Sequence, residues 1–379
     1  MMPENLLYSV FFFLLLYYLF FLSNIYRGLG KLRRTDKTNT IPEFISIIIP
    51  FRNENKNLPG NLKGLISQNY PKDKYEIIYV NDSSTDDSVE VLKKLITNDN
   101  VSVISVPDEF SPNAHKKRAV RYGIQYAKGD LIITTDADCL HEKEWLQAMV
   151  NYLDENTAFV SGPVEFIEKG NVFSDLQKIE FAGLVITGAG LIGINKPTIC
   201  NAANILYRKK AYDEVKGFHD NLNLSSGDDE LLMQKIHKKT KYKIKFCPER
   251  KAVVKTEANN SVEQFYQQRK RWASKGLFYA DKFLIAKLVL IFWFYLGLVC
   301  QLILGIFYSS GFLVLLLLSF LLKILFEYLV MKKGAELLFD KRIMKYFLLT
   351  EIVHIPYIVI AGISGIFGNF TWKERVVKR

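Results

Sequence analysis

The stretch Leu131-Ile-Ile-Thr-Thr-Asp-Ala-Asp-Cys139 decides how this chain is read. An apolar, β-prone run ends abruptly in two carboxylates, Asp136 and Asp138. Residues two apart on a strand point to the same side, so both side chains can reach one point in space. Gly129-Asp130, just before the run, reads as a turn feeding a buried strand. Two hard oxygen ligands at the open end of such a strand suit Mg2+ or Mn2+, above all where a substrate diphosphate supplies further oxygens. An acidic loop after a strand would carry the same residues, so the flanking sequence has to decide.

Working outward, strand-like runs at 44–50, 75–81, 101–106 and 131–135 alternate with helical patterns at 57–68, 84–97 and 116–127. This alternation predicts an α/β domain over 40–258, a mainly parallel sheet flanked by helices on both faces. Ligands of such sheets bind beyond the carboxyl ends of the strands. The polar punctuation falls there. Pro50-Phe-Arg52-Asn-Glu54 follows the first strand and Asn81-Asp82-Ser-Ser-Thr-Asp86 the second, a chemistry suited to a nucleotide. Asp82 can accept from a pyrimidine imide N–H, which separates uracil from cytosine; the alternative is that 82–86 only caps a helix. His115-Lys116-Lys117-Arg118 opens the next helix. Lys116, on its first turn, can meet a diphosphate at the positive helix end; a solvated basic face is the alternative.

The 379 residues carry a net charge of +11, and 49% of them are hydrophobic. Basic residues flank the apolar segments, which favours a membrane surface over nucleic acid, and no base-reading module is present. Cys139, Cys200, Cys247 and Cys300 lie far apart without metal-ligand spacing and read as reduced thiols.

Four segments now stand in order: Ser46-Ile-Ile-Ile-Pro-Phe-Arg-Asn-Glu54, Asn81–Asp86, Lys116-Lys-Arg-Ala119 and Asp136-Ala-Asp138. Together they resemble family 2 glycosyltransferases, inverting enzymes that use nucleotide sugars on a GT-A (Rossmann-like) fold. Ser161-Gly-Pro-Val164 resembles the family's strand after the metal motif. Cys200-Asn-Ala-Ala-Asn204 resembles its Cys-Asn-Gly-Ala-Asn acceptor-side stretch, with Ala202 in place of Gly. The resemblance covers roughly 44–275. It implies a donor site built from Pro50, Arg52, Glu54, Asp82, Lys116, Asp136 and Asp138. It puts Asn201 and Asn204 on the acceptor side, and a Mg2+ or Mn2+ ion on Asp138 and Asp136.

Ser225-Ser-Gly-Asp-Asp-Glu230 precedes an amphipathic helical pattern. A carboxylate anchored at a helix start can deprotonate an acceptor hydroxyl, or merely complement the helix dipole. The resemblance is to the family's Glu-Asp motif and implies Asp229 as base with Asp228 in support. Gln268-Arg-Lys-Arg271-Trp272 matches the Gln-x-x-Arg-Trp motif of the family's membrane-bound branch. Gln268 and Arg271 share a helical face. Arg271 can neutralise a departing diphosphate and Trp272 can form an apolar wall under the acceptor. An amphipathic helix on the bilayer is the other reading of 259–285, with Arg269 and Lys270 toward the headgroups.

Residues 6–26 are almost wholly apolar and long enough to span a bilayer. Arg27, Lys31, Arg33, Arg34 and Lys37 follow the run rather than precede it, which argues for an anchor (1–39) rather than a signal peptide and places the catalytic domain in the cytoplasm. Residues 286–379 hold the C-terminal membrane part, with spans at 288–308 and 312–331. Lys323 and Glu327 are expected to pair or snorkel in the second. Residues 346–368 are apolar around Pro356. Positive charge in the tail predicts a kinked or re-entrant segment there, with a third ordinary span as the alternative.

The resemblance thus implies an integral-membrane enzyme moving sugar from a UDP-sugar to a lipid or membrane-presented acceptor. A processive polysaccharide synthase (cellulose, chitin, hyaluronan or poly-N-acetylglucosamine) carries the same motif and is the alternative. The few membrane segments favour the lipid reading.

Overall fold

The computed structural model describes residues 4–35, 43–110, 116–219, 227, 229–275, 279, 281–367, 370–372 and 375–377. In chain order the elements are α1 (Glu4–Leu29), β1 (Ile45–Phe51), α2 (Leu58–Ile66), β2 (Tyr75–Asn81), α3 (Ser88–Leu95), β3 (Val101–Ser105), α4 (Lys116–Tyr126), β4 (Leu131–Thr134) and α5 (Trp145–Val150). Then come β5 (Thr157–Ser161), β6 (Val164–Phe166), α6 (Val172–Gly193), β7 (Ile205–Arg208), α7 (Lys209–Glu214), α8 (Glu230–Lys239), β8 (Lys243–Phe246) and β9 (Val254–Thr256). The last are α9 (Val262–Lys275), α10 (Lys282–Phe307), α11 (Gly311–Leu338), α12 (Phe347–Phe367), β10 (Phe370–Trp372) and β11 (Arg375–Val377).

The main sheet has seven strands in the order β3-β2-β1-β4-β7-β5-β8. Strands β1 to β4 pair in parallel, and β7 inserts antiparallel between β4 and β5. Every residue of β1 and β4 is buried, which is why both read as unbroken apolar runs rather than alternating ones. Ile48 stands opposite both Ile78 and Thr134. That register brings the segments after β1, β2 and β4 to one edge of the sheet, the edge where ligands collect.

Helix α6 is absent from the sequence expectations. It is apolar enough to cross a membrane, yet 61% of its most apolar window is buried, against 22–28% for α1, α10, α11 and the 341–364 segment. Its apolar surface is spent on the protein. It crosses α1 at backbone contact. A Cβ on Gly28 would lie 1.8 Å from the Gly190 carbonyl oxygen, and one on Gly193 would lie 2.2 Å from that of Gly28. No side chain fits there. Tyr18 stacks on Phe294 at 4.2 Å and Tyr8 on Phe312 at 4.4 Å, which fastens α1 to α10 and α11.

Polar groups meet inside this bundle. The Tyr18 hydroxyl donates to Glu327 Oε1 at 2.5 Å and that of Tyr295 to the same atom at 3.2 Å. Lys323 Nζ pairs with Glu327 at 3.0 Å, as the spacing led one to expect, and also with Glu351 of α12. Glu351 therefore has a structural partner. Helix α12 runs on through Pro356. Lys341, just before it, reaches Glu336 near the end of α11 at 3.3 Å, while Tyr357 packs on Phe265 of α9 at 5.4 Å and β10 lies against α9. The start of the segment thus lies by the end of α11, and its middle and the strand after it lie by α9.

A buried charge is tolerated only when paired, and breaking such a pair costs about 3–5 kcal/mol. Lys323→Met leaves Glu327 and Glu351 facing each other, and we predict a clearly lower melting temperature in detergent. Adding Glu327→Gln and Glu351→Gln should recover most of the loss. An unchanged melt for the single variant would contradict this assignment.

Candidate active site

A cavity of about 450 Å³ opens at the carboxyl edge of the sheet. Its donor end is lined by Pro50, Arg52, Glu54, Asp82, Asp136 and Asp138. Asp82 is 3% exposed, at the end of β2. Its loop is held open by backbone strain and by Arg52. Asn53 and Ser83 have φ of 52° and 58°, and Arg52 Nη1 donates to the carbonyls of Asp82 at 3.0 Å and Ser83 at 2.5 Å. Arg52 thus organises the loop. The N-cap of α3 is Asp87, outside 82–86; Asp86 beside it accepts from Ser88 N at 3.1 Å, and against a desolvation that raises it, that and neighbouring hydrogen bonds lower its carboxyl from the ordinary value.

Lys116, read as a phosphate contact, pairs with Asp136 at 2.5 Å. It lines the cavity on the first turn of α4. Asp138 Oδ2 accepts from Thr256 Oγ1 at 3.0 Å. Among the described residues, no group of three or more His, Cys, Asp or Glu is arranged to hold a metal. The protein therefore offers a pair of carboxylates at one end of a cavity, a donor set suited to a hard cation whose remaining ligands come from a phosphate and water.

Several residues that sequence reasoning passed over hold this turn. Asn61 Nδ2 donates to the carbonyls of Asp136 at 3.1 Å and Cys139 at 2.8 Å, and is itself fixed by the Tyr79 hydroxyl at 2.6 Å. His141 Nε2 bonds Thr135 Oγ1 at 2.8 Å, and its ring lies 4.3 Å from that of Trp145. Only the polar letter of Asn61, on the inward face of a predicted helix, could have hinted at this clamp. All four cysteines are thiols rather than disulfides.

Asp229, expected as the base, lies at the start of α8. Asp229 is the N-cap; its Oδ1 accepts from Glu230 N at 2.7 Å and its Oδ2 from Ala202 N at 3.0 Å. The Thr134 hydroxyl donates to the Ala202 carbonyl at 2.8 Å, so one residue, Ala202, ties the strand that leads to Asp136 to Asp229. Ala202 opens a 3-10 turn and is not among the positive-φ residues, so Ala serves where the family pattern has Gly. Asn201 lines the cavity and caps that turn through Ala203 N at 2.9 Å. Asn204 does not line it. Fully buried, it donates to the carbonyls of Pro163 and Ala252 and accepts from Trp145 Nε1, a brace between strands. Asp228 lies outside the described residues. Tyr279 and Glu230 also line the cavity, the phenol donating to the carboxylate; burial, then that carboxylate, push the phenol up.

Gln268, Arg271 and Trp272 all line the cavity from α9. Gln268 Oε1 accepts from Asn259 Nδ2 at 2.9 Å. The expectation for Arg269 is corrected. Rather than facing headgroups it is 3% exposed, ion-paired with Glu180 of α6, and stacked on Trp272 at 4.2 Å. A carboxylate offered by α6 at this buried contact draws in the guanidinium. Trp272 is fixed as a result, its ring 5.9 Å from that of Phe181.

Burial holds the His141 imidazole down at about 3, so it is neutral and takes no part as a base. In the unfolded chain a histidine takes up its proton near 6.5. The stability this group allows is whole above pH 6.5 and is lost as pH falls from there toward 3. Chemical melts of the wild type and His141→Gln across that window should converge as the pH falls. Parallel curves would show that His141 is not the group responsible.

The model of the family described as Glycosyl transferase family 2 matches residues 46–216. The chain is 28% identical over 201 residues to glycosyltransferase AglE of Haloferax volcanii, covering 50% of this chain and 60% of that one. It is 26% identical to the probable glycosyltransferase YdaM of Bacillus subtilis, with 73% and 66% covered. It is also 26% identical to poly-beta-1,6-N-acetyl-D-glucosamine synthase of Staphylococcus aureus, with 62% and 55% covered. The chain spans less than two thirds of the length of each. Among solved structures, mannosyltransferase PcManGT from Pyrobaculum calidifontis, in complex with GDP-Man and Mn2+, superposes with a TM-score of 0.63 at 17% identity, over 95% of this chain and 97% of that one. That likeness shows a shared GT-A fold. Residues 46–216 of the chain thus match glycosyl transferase family 2.

Proposed function

We propose that the protein is an integral-membrane, inverting glycosyltransferase that moves a sugar from a UDP-sugar to a lipid or membrane-presented acceptor. The observation that carries this reading is one cavity shared by Asp82, Asp136, Asp138, Asp229 and Arg271, beside helices long and apolar enough to span a bilayer. Asp82 accepts from the uracil imide. Asp138 and Asp136 would hold Mg2+ or Mn2+, which would neutralise charge on the diphosphate. Lys116, now paired with Asp136, is placed to exchange that partner for a phosphate oxygen. Arg271 offsets the charge that grows on departing UDP, and such aimed charge is worth most in a site that excludes water.

Asp229 takes the proton of the acceptor hydroxyl. Its two backbone hydrogen bonds fix its direction. The hydroxyl oxygen attacks the anomeric carbon as the bond to UDP breaks. Trp272 and Phe181 supply an apolar floor for the acceptor. Arg27, Lys31, Arg33 and Arg34, the basic residues at and after the end of α1, support a site on the cytoplasmic face by the positive-inside rule. Processive synthesis remains the second reading, supported by the likeness to the poly-N-acetylglucosamine synthase.

A general base contributes about 10²–10⁴-fold to rate. Asp229→Asn should lose transfer on that scale while binding UDP as the wild type does. Inside-out vesicles, which present the cytoplasmic face, should release UDP from one of a panel of UDP-sugars, and sealed right-side-out vesicles should not. Wild-type turnover by Asp229→Asn would remove the base assignment; release only from right-side-out vesicles would reverse the orientation.

A further inference from the structure

Arg269 does not line the cavity, yet it holds two residues of its own helix that do. Its Nη1 donates to Gln268 Oε1 at 2.5 Å, and its guanidinium carbon lies 4.2 Å from the centre of the Trp272 ring. A guanidinium can only donate. Gln268 must therefore turn its oxygen to Arg269, and Asn259 Nδ2 donates to the same oxygen at 2.9 Å. That leaves the NH2 of this cavity-lining amide to meet a ligand.

Glu180 of α6 fixes Arg269 in turn. Arg269 Nε donates to Glu180 Oε1 at 3.1 Å and Nη2 to Oε2, the two-pronged match of guanidinium and carboxylate. The two side chains are 2% and 8% exposed. Gln177, three residues back and so on the same helical face, accepts on Oε1 from Asn259 N at 3.0 Å and Nδ2 at 3.1 Å. A helix apolar enough to cross a membrane thus turns two polar groups toward α9 and the turn before it. Apolar residues of the same size would serve stability as well as a buried ion pair does. What the two-pronged pair adds is direction.

We infer that Glu180 is a positioning residue for the transfer. Through Arg269 it sets the plane of Trp272 and the orientation of the Gln268 amide, and it does not line the cavity itself. The purpose given to that placement rests on the transferase reading above; the placement of Trp272 does not.

The test uses the purified full chain in nanodiscs. Glu180→Gln leaves the buried Arg269 without its counter-charge and should melt lower. Glu180→Gln combined with Arg269→Met removes both charges and should melt as the wild type does, since exchanging a buried pair for neutral groups costs little. That double variant should still lose UDP release about a hundredfold, with whichever UDP-sugar of the panel the wild type uses, the scale of a misplacement of about 1 Å. Arg269→Lys, which keeps a charge for Glu180 but not the flat fork, should hold the melt and lose release likewise. Affinity for UDP should be unchanged in both, because Asp82, Asp136 and Asp138 belong to the sheet edge and not to α9. The emission of Trp272, isolated by subtracting that of the matching Trp272→Phe protein, should shift to the red and be quenched more readily by acrylamide. UDP release recovering together with the melt would overturn the inference, since the pair would then only stabilise. Trp272 emission unmoved in the double variant would overturn it too. A wild type that releases UDP from no donor would remove the transferase reading, while the emission would still decide whether Glu180 places Trp272.

Discussion

One residue, Ala202, joins the two halves of this site. The carbonyl of Ala202 accepts from Thr134, which ends the strand leading to Asp136 and Asp138, and its N–H donates to Asp229. Ala202 stands three residues before β7, which pairs with β4, so the antiparallel insertion of β7 sets where Ala202 sits between Thr134 and Asp229. The rest of the domain supports that spacing. Asn61 clamps the turn at Asp136 from one side, and Asn204 ties β7 to the loops at Pro163 and Ala252 from the other.

Helix α6 joins this chemistry to the membrane part. One of its faces meets α1 through Gly190 and Gly193, another offers Glu180 to Arg269, and a third lines the cavity with Phe181 and Leu184. Arg269 in turn stacks on Trp272. A shift of α1 or α12 relative to the sheet would thus be felt at the acceptor wall through packed groups. Tyr357 of α12 also donates to Glu180, at 3.4 Å.

Much of the donor end was legible because it follows from strand geometry. Asp82, Asp136 and Asp138 each come directly after a buried run, and parallel register brings such ends together whatever the loops do. Lys323 and Glu327 were legible for a similar reason, since i and i+4 share a helix face. What the sequence concealed were contacts between distant segments. Asn204 belongs to a motif that contains Asn201, yet the 3-10 turn at 202–204 sends one into the cavity and the other into the core. Arg269 resembled its neighbours Lys270 and Arg271, and only the carboxylate of Glu180 distinguished it. Helix α6 escaped because Asp175, Gln177, Lys178 and Glu180 mask an otherwise apolar segment. Asn61 and His141 act through a backbone turn that no local pattern describes.

The account stands on a single displacement in which Asp229 and the departing diphosphate lie on opposite faces of the sugar. The anomeric configuration of the first product, read by NMR from the coupling constant of the transferred sugar, measures this directly. An α-linked donor should give a β-linked product. An α-linked product would mean retention, and neither the placement of Asp229 nor the role of Ala202 would survive it.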